Sequence, residues 1–197
     1  MKNDMPRKVY PTIACCGLDC GLCPRFYTIG PSRCPGCAGP NFFNKHPSCS
    51  YIACCVKKQQ LEVCGECIIF PCSKFKPEPA YQQIPESSSY PSSKKIIPNL
   101  KFIRIHGIKR FIEQQRKRIK LLETMIKKYD DGRSKSFYCR AVTLLNVTNL
   151  TGSIEQANQK IKLDKIKLND SKMKALVLKG IINDAAIKEG IELVKKR

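Results

Sequence analysis

Cys16-Gly17-Leu18-Asp19-Cys20-Gly21-Leu22-Cys23 opens the series of cysteines on which the fold of this chain turns. The series continues as Cys34-Pro35-Gly36-Cys37, then Cys49 and Cys54, then Cys64-Gly65-Glu66-Cys67 and Cys72. A two-residue gap lets one tight turn present both thiolates to a single ion while its backbone N–H groups hydrogen-bond the sulfurs. Glycine in the gap, as at Gly36 and Gly65, admits that backbone. The candidate metal ligands are therefore Cys16, Cys20, Cys23, Cys34, Cys37, Cys49, Cys54, Cys64, Cys67 and Cys72. Cys20/Cys23 with Cys34/Cys37 would make one tetrahedral set, and Cys49/Cys54 with Cys64/Cys67 another. Cys16 and Cys72 could complete a third set or replace a member of these. Cys15, Cys55 and Cys139 read as small buried hydrophobes. Structural zinc, as two or three ions, suits all-thiolate sets, with an iron–sulfur cluster as the alternative.

The composition around this series narrows the setting. Of 197 residues 13 are cysteine, and twelve of those fall between Cys15 and Cys72. Residues 1–75 otherwise carry scattered aliphatics with many Gly and Pro, so a module this small needs metal or disulfides to hold it. No apolar stretch approaches the roughly 18 residues that span a bilayer. Residues 1–11 lack the apolar core of a signal peptide. The expected location is the cytoplasm, where thiols stay reduced and metal is favoured over disulfides. Residues 76–99 hold five prolines and five serines, a linker composition.

Residues 100–197 read as an all-α basic region. Ile108, Ile112, Gln115, Ile119, Leu122, Ile126 and Tyr129 follow a 4-3 spacing with one polar interruption, which places an apolar seam along a helix of six turns. Asp130-Asp131-Gly132 stops it. A second helix is expected over 136–146. Ser153 with Gln156 suggests a capping box for a short third helix bearing Ile154, Ala157 and Ile161. Asp170 suggests the cap of a last one, with Met173, Leu176, Val177 and Ile181 inward and a restart at Asp184. The fold expected is an irregular, zinc-knuckle-like, metal-stabilised N-terminal module followed by an antiparallel helical bundle. The 108–129 seam could instead serve a homodimer.

Catalytic patterns are lacking. The two histidines do not pair with a nucleophile: His46 reads as a solvent-facing loop residue rather than a ligand, and His106 as a helix-entry or packing residue. No phosphate-cradling glycine loop and no paired carboxylates stand out. Cys16-x3-Cys20-x2-Cys23 also matches the cluster spacing of radical S-adenosylmethionine enzymes, but no alternation of strands and helices follows to build their barrel. The expectation leans away from an enzyme.

The formal charge is +20. Ligation would deprotonate ten thiols, and two or three zinc ions would bring the total to about +14 to +16. Residues 1–79 carry +5 and residues 80–197 carry +15, so the charge belongs to the helical part. Lys109, Arg110, Arg116, Lys117, Arg118 and Lys120 crowd one helix off its apolar seam, a face suited to phosphate backbones and hence to RNA or a ribonucleoprotein surface. Gly132-Arg133-Ser134-Lys135-Ser136 opens a helix with free N–H groups and two cations, a candidate anion site. Cys139 in the first turn of that helix is a candidate redox thiol.

The series Cys16-Gly-Leu-Asp-Cys20-Gly-x-Cys23-Pro, Cys34-Pro-Gly-Cys37, Cys49-x4-Cys54 and Cys64-Gly-Glu-Cys67-x3-Pro71-Cys72 resembles the cysteine-rich family catalogued as domain of unknown function 3795. The likeness covers residues 13 to 75 and extends loosely into Gly107–Lys117. It implies a metal-binding module with the same ten cysteines as ligands and implies no reaction, substrate or partner. Members of that family carry a further cysteine pair after the helix. This chain instead runs on into a lysine-rich helical tail. The expected function is a metal-binding scaffold with structural zinc; the alternative is an iron–sulfur or thiol-redox protein, or a metal-handling protein.

Overall fold

The computed structural model describes residues 8–44, 46, 48–75 and 94–193. Most of the expected linker, 76–93, lies outside the described residues. The chain divides into two compact units, Met1–Gln115 and Arg116–Arg197. The first thus extends well past residue 75.

In the first unit the dense Gly, Pro and Cys spacing breaks the backbone into short 3-10 turns at Cys20–Leu22, Pro24–Tyr27, Phe42–Asn44, Cys64–Glu66 and Ser73–Phe75. One wider π-helical stretch covers Ile52–Lys58, and no strand occurs among the described residues. Helix α1, Ile96–His106, follows. Pro98 sits in its first turn, where a missing N–H costs nothing. Ile96, Leu100 and Ile103 recur on one face and are buried with Ile13, Ile52, Val56, Val63, Phe70 and Phe75. Each such aliphatic contributes roughly 1.5–3 kcal/mol by burial. The stretch that looked too poor in aliphatics for a core therefore has one, completed by α1 and by Phe111 and Ile112 of the next helix.

Helix α1 also holds the cysteine loops in place. Asn99 Nδ2 donates to Gly17 O at 2.9 Å, and Arg104 donates to Cys67 O at 2.9 Å and Phe70 O at 3.1 Å. Gly65 lies so close to α1 that a Cβ there would sit 2.5 Å from Leu100 O. His106 ends α1 rather than entering a helix and packs its ring against Phe102 at 4.5 Å; Gly107, at φ 81°, makes the turn. Helix α2 is Ile108–Tyr129, the extent that the 4-3 spacing indicated. Its polar interruption is a buried tie to the cysteine loop. Gln115 Oε1 accepts from Thr12 Oγ1 at 2.7 Å, while Nε2 donates to Thr12 O at 2.9 Å and to the Asp19 carboxylate.

The second unit is all-α: the remainder of α2, then α3 (Lys135–Leu144), α4 (Val147–Leu163) and α5 (Ser171–Lys188). Tyr138 Oη donates to Tyr129 O at 3.0 Å, and Tyr129 Oη to Asn158 Oδ1 at 2.6 Å. The seam residues Ile112, Gln115, Leu122 and Tyr129 are buried within the chain itself, which removes them as a dimer surface. Asp170 Oδ1 accepts from Met173 N at 3.0 Å, so the cap of α5 is where its sequence put it. Two other expectations change. Helix α4 starts at Val147 with Asn146 as its cap, accepting from Thr148 N at 2.9 Å; Ser153 lies inside the helix and donates to Asn149 O. Helix α5 runs without a restart and buries Ala175, Leu178, Ile182 and Ala186, leaving Met173 and Leu176 at 43% and 61% exposed.

Candidate metal centre

The ten spaced cysteines gather around two cavities of the first unit. Cys16, Cys20, Cys23, Cys34, Cys37 and Cys49 line a cavity of about 260 Å³, together with Cys15, His46 and Asp19. Cys54, Cys64, Cys67 and Cys72 line a second, of about 50 Å³, together with Cys55 and walled by Phe70 and Phe75. This six-and-four division differs from the pairing that spacing suggested, since Cys49 joins the first set and Cys72 the second. All are free thiols, and among the described residues no three Cys, His, Asp or Glu side chains close on a single metal-sized point.

Local backbone explains the first set. The turn Cys20–Leu22 closes with Cys23 N donating to Cys20 O at 3.2 Å, and Cys34 N donates to Arg25 O at 2.9 Å, which draws the two C-x2-C loops together. Gly36, at φ 84°, lets Cys37 N reach Pro11 O at 2.8 Å. The Cys23 sulfur accepts from the N–H groups of Arg25 and Phe26, and that of Cys16 from Leu18, the N–H···S pattern of a metal knuckle. His46 is half-buried, not solvent-facing: its Nε2 lies 3.3 Å from Cys34 Sγ and its ring stacks on Phe42 at 4.3 Å. Its only sequence signal was a position between Cys37 and Cys49 beside an aromatic pair.

The second set rests on α1 and the π-helical stretch. Cys67 N donates to Cys64 O at 3.1 Å, closing the Cys64–Glu66 turn, and the Glu66 carboxylate accepts from the N–H groups of Glu62 and Val63. Cys54 and Cys55 lie in Ile52–Lys58, and π-helical turns recur at functional sites because the widened ring displaces side chains from helical register.

Burial sets the electrostatics. It raises the Cys16 thiol to about 11 and pushes Cys20 and Cys23 above the ordinary thiol value. Cys37 is raised by donating a hydrogen bond to Cys15 and by burial. Accepting that bond lowers Cys15, but donation to Cys55 and burial raise it further; Cys55 accepts from Cys15, which lowers it, and is raised more by donating to Cys64 and by burial. Several neutral thiols in a shared low-dielectric space are stable as thiols, and as thiolates only with a cation among them. The Lys8 ammonium is also buried, donating to Ile13 O at 2.6 Å and lying 4.0 Å from Glu62 Oε2.

The other candidates fall elsewhere. Lys109, Arg110, Arg116, Lys117 and Lys120 are exposed along α2. Arg118 is half-buried and donates to Val142 O and Leu145 O, the latter at 2.8 Å, so it caps the C-terminus of α3. At the Gly132–Ser136 turn three N–H groups already have acceptors: Gly132 and Ser134 donate to Asp130 Oδ1, and Arg133 to Asp131 Oδ1. Ser134 Oγ donates to Asp131 as well, which with the neighbouring Arg133 N–H and Lys179 keeps that carboxyl below the usual range. Arg133 is exposed, and Lys135 half-buried. Cys139 is buried in the second unit's core, away from solvent oxidants. No helix of the described residues is long and apolar enough to cross a membrane.

Comparison with family models, with curated proteins and with solved structures finds no match to this chain.

Proposed function

We propose that this chain is a metal-binding scaffold of the cytoplasm whose first unit holds zinc in two thiolate centres. The six-cysteine set, with His46 beside Cys34, takes two ions, and the four-cysteine set takes one. A single observation supports the reading most: all ten cysteines selected by spacing line one of two cavities, six on one and four on the other, with Cys15 joining the first and Cys55 the second, and the cavity with six is about five times the larger. The donor chemistry fits, because all-thiolate sets with at most one imidazole select zinc or iron–sulfur clusters over hard cations. The resemblance to the domain of unknown function 3795 points the same way. Iron with sulfide is the alternative occupant. Analysis of anaerobically purified protein tests it: a colourless chain with three zinc ions agrees, whereas brown protein with iron and sulfide, or one without metal, contradicts it.

The scaffold role belongs to the basic helices. Five exposed cations along α2 favour binding to RNA or a ribonucleoprotein surface through phosphates, with affinity that falls steeply with salt. Neutralising Arg116, Lys117 and Lys120 together should flatten the salt dependence by about three counterions. Retention that is absent at low salt, or indifferent to those changes, refutes this role.

A further inference from the structure

The apolar residues of α5 that stay exposed, Met173 and Leu176, border a cavity of the second unit. This cavity, of about 510 Å³, is lined by Asp131, Arg133, Lys172, Met173, Leu176 and Lys179. Its size falls within the roughly 300–1,000 Å³ of small-molecule sites. Lys172, Leu176 and Lys179 recur at i, i+4 and i+7 and so share one face of α5. Asp131 and Arg133 come from the turn between α2 and α3, which its own hydrogen bonds fix. Asp130 Oδ1 accepts from Ser134 N at 3.1 Å, and Asp131 Oδ1 from Arg133 N at 3.0 Å and Ser134 Oγ at 2.7 Å. Of the two cations that the sequence offered for an anion here, Arg133 lines the cavity and Lys135 does not.

The charges around this cavity are unbalanced. Three cations stand against one carboxylate, a net +2. Among the described residues no carboxylate lies within ion-pair distance of Arg133, Lys172 or Lys179. A dianion restores the balance, and the planar fork of Arg133 matches phosphate oxygens. Bare phosphate would fill only a small part of the space and leave Met173 and Leu176 against water. An alkyl carboxylate carries one charge and offers no donor to Asp131. Both bonds that Asp131 accepts from the turn reach Oδ1, so Oδ2 can accept from a hydroxyl or amino group of a bound molecule. A thioether beside an aliphatic side chain suits a flat ring.

We propose that the cavity between the 130–134 turn and the start of α5 binds a phosphate monoester of nucleotide size. Arg133, Lys172 and Lys179 take the phosphate, Met173 and Leu176 take the ring, and Asp131 accepts from a hydroxyl or amino group of the ligand. The site is separate from the cysteine sets and from the cations of α2, and its binding is independent of both.

The test titrates adenosine monophosphate, inorganic phosphate, adenosine and octanoate into the full nitrogen-15-labelled chain and follows amide shifts. The expected result is saturable binding of adenosine monophosphate, with shifts at residues 131–134 and 172–179. Its affinity should exceed that of each of the other three by at least about tenfold. Arg133→Gln and Lys179→Gln should each weaken it by about threefold or more. Leu176→Ser should weaken adenosine monophosphate by about threefold to tenfold and leave inorganic phosphate unchanged. Neutralising Arg116, Lys117 and Lys120 together should leave it unchanged. No saturation at millimolar ligand, shifts confined to α2, inorganic phosphate or octanoate binding as tightly, or indifference to both cation variants overturns the site. The comparison of the four ligands on the unaltered chain decides the matter even where a variant does not fold.

Discussion

Replacing Gln115 with leucine should weaken the first centre while sparing the second. Gln115 is buried and makes three hydrogen bonds to the loop that carries Cys16 and Cys20: two with Thr12 and one to the Asp19 carboxylate. Neutral bonds of this kind contribute about 1 kcal/mol each and a bond to a carboxylate about 1.5–3 kcal/mol. Leucine is of similar size and recovers roughly 1–2 kcal/mol by apolar burial, so the net loss is about 2–3 kcal/mol. Urea unfolding of the metal-free chain reads that loss directly. Each 1.4 kcal/mol is a factor of ten, so zinc affinity at the six-cysteine set should fall by roughly thirtyfold to somewhat over a hundredfold in competition with a chromophoric chelator. The Cys54/Cys64/Cys67/Cys72 set, held by α1 rather than by Gln115, should keep its affinity. Unchanged stability, or an equal loss at both sets, would refute the reasoning.

Three further outcomes follow from packing and charge. Gly65→Ala places a Cβ 2.5 Å from Leu100 O; the backbone shift should cost about 1–3 kcal/mol and lower affinity at the four-cysteine set first, as calorimetric titration would show. Arg118→Met leaves the carbonyls of Val142 and Leu145 without this donor and should destabilise the second unit by about 1–3 kcal/mol in thermal unfolding, with little effect on RNA retention beyond one lost charge. In the metal-free chain the folded Cys16, Cys20 and Cys23 thiols titrate above the ordinary value. Their contribution to stability is intact below the unfolded thiol value of about 8.5 and drains as pH rises toward the value of about 11 that Cys16 reaches, because the unfolded chain loses its protons first. Denaturant midpoints measured from pH 8 to 11 should fall, and a flat profile would contradict this.

What could be read from the chain depended on whether the signal was local. Helix α2 was legible from end to end because a 4-3 apolar spacing runs into Asp130-Asp131-Gly132, and Asp170 marked the start of α5 by its own side chain. Helix α1 was hidden by composition: Pro98 and the preceding serines look like linker, although Pro in a first turn is compatible with a helix. Helix α5 carries apolar residues all round, so its inner face could not be chosen by spacing, and small residues such as Ala175 and Ala186 turned out to form it. Ser153 mimicked a cap, while the operative cap, Asn146, sat only two positions past the end of α3. In the first unit the ten cysteines stood out by spacing, but their six-and-four grouping depends on chain reversals over tens of residues, which no local pattern encodes. The same applies to His46, whose approach to Cys34 follows from the Phe42–Asn44 turn, and to the contact of Cys15 with Cys37.

The grouping of those cysteines is the central claim, and zinc counting in paired variants tests it most directly. Starting from three ions per chain, Cys64→Ser with Cys67→Ser should retain two, and Cys20→Ser, Cys23→Ser, Cys34→Ser and Cys37→Ser together, which leave only Cys16 and Cys49 of the six, should retain one, on the proposal of two ions among six cysteines and one among four. Loss of every ion in both variants, or an identical loss in each, would contradict two separate centres.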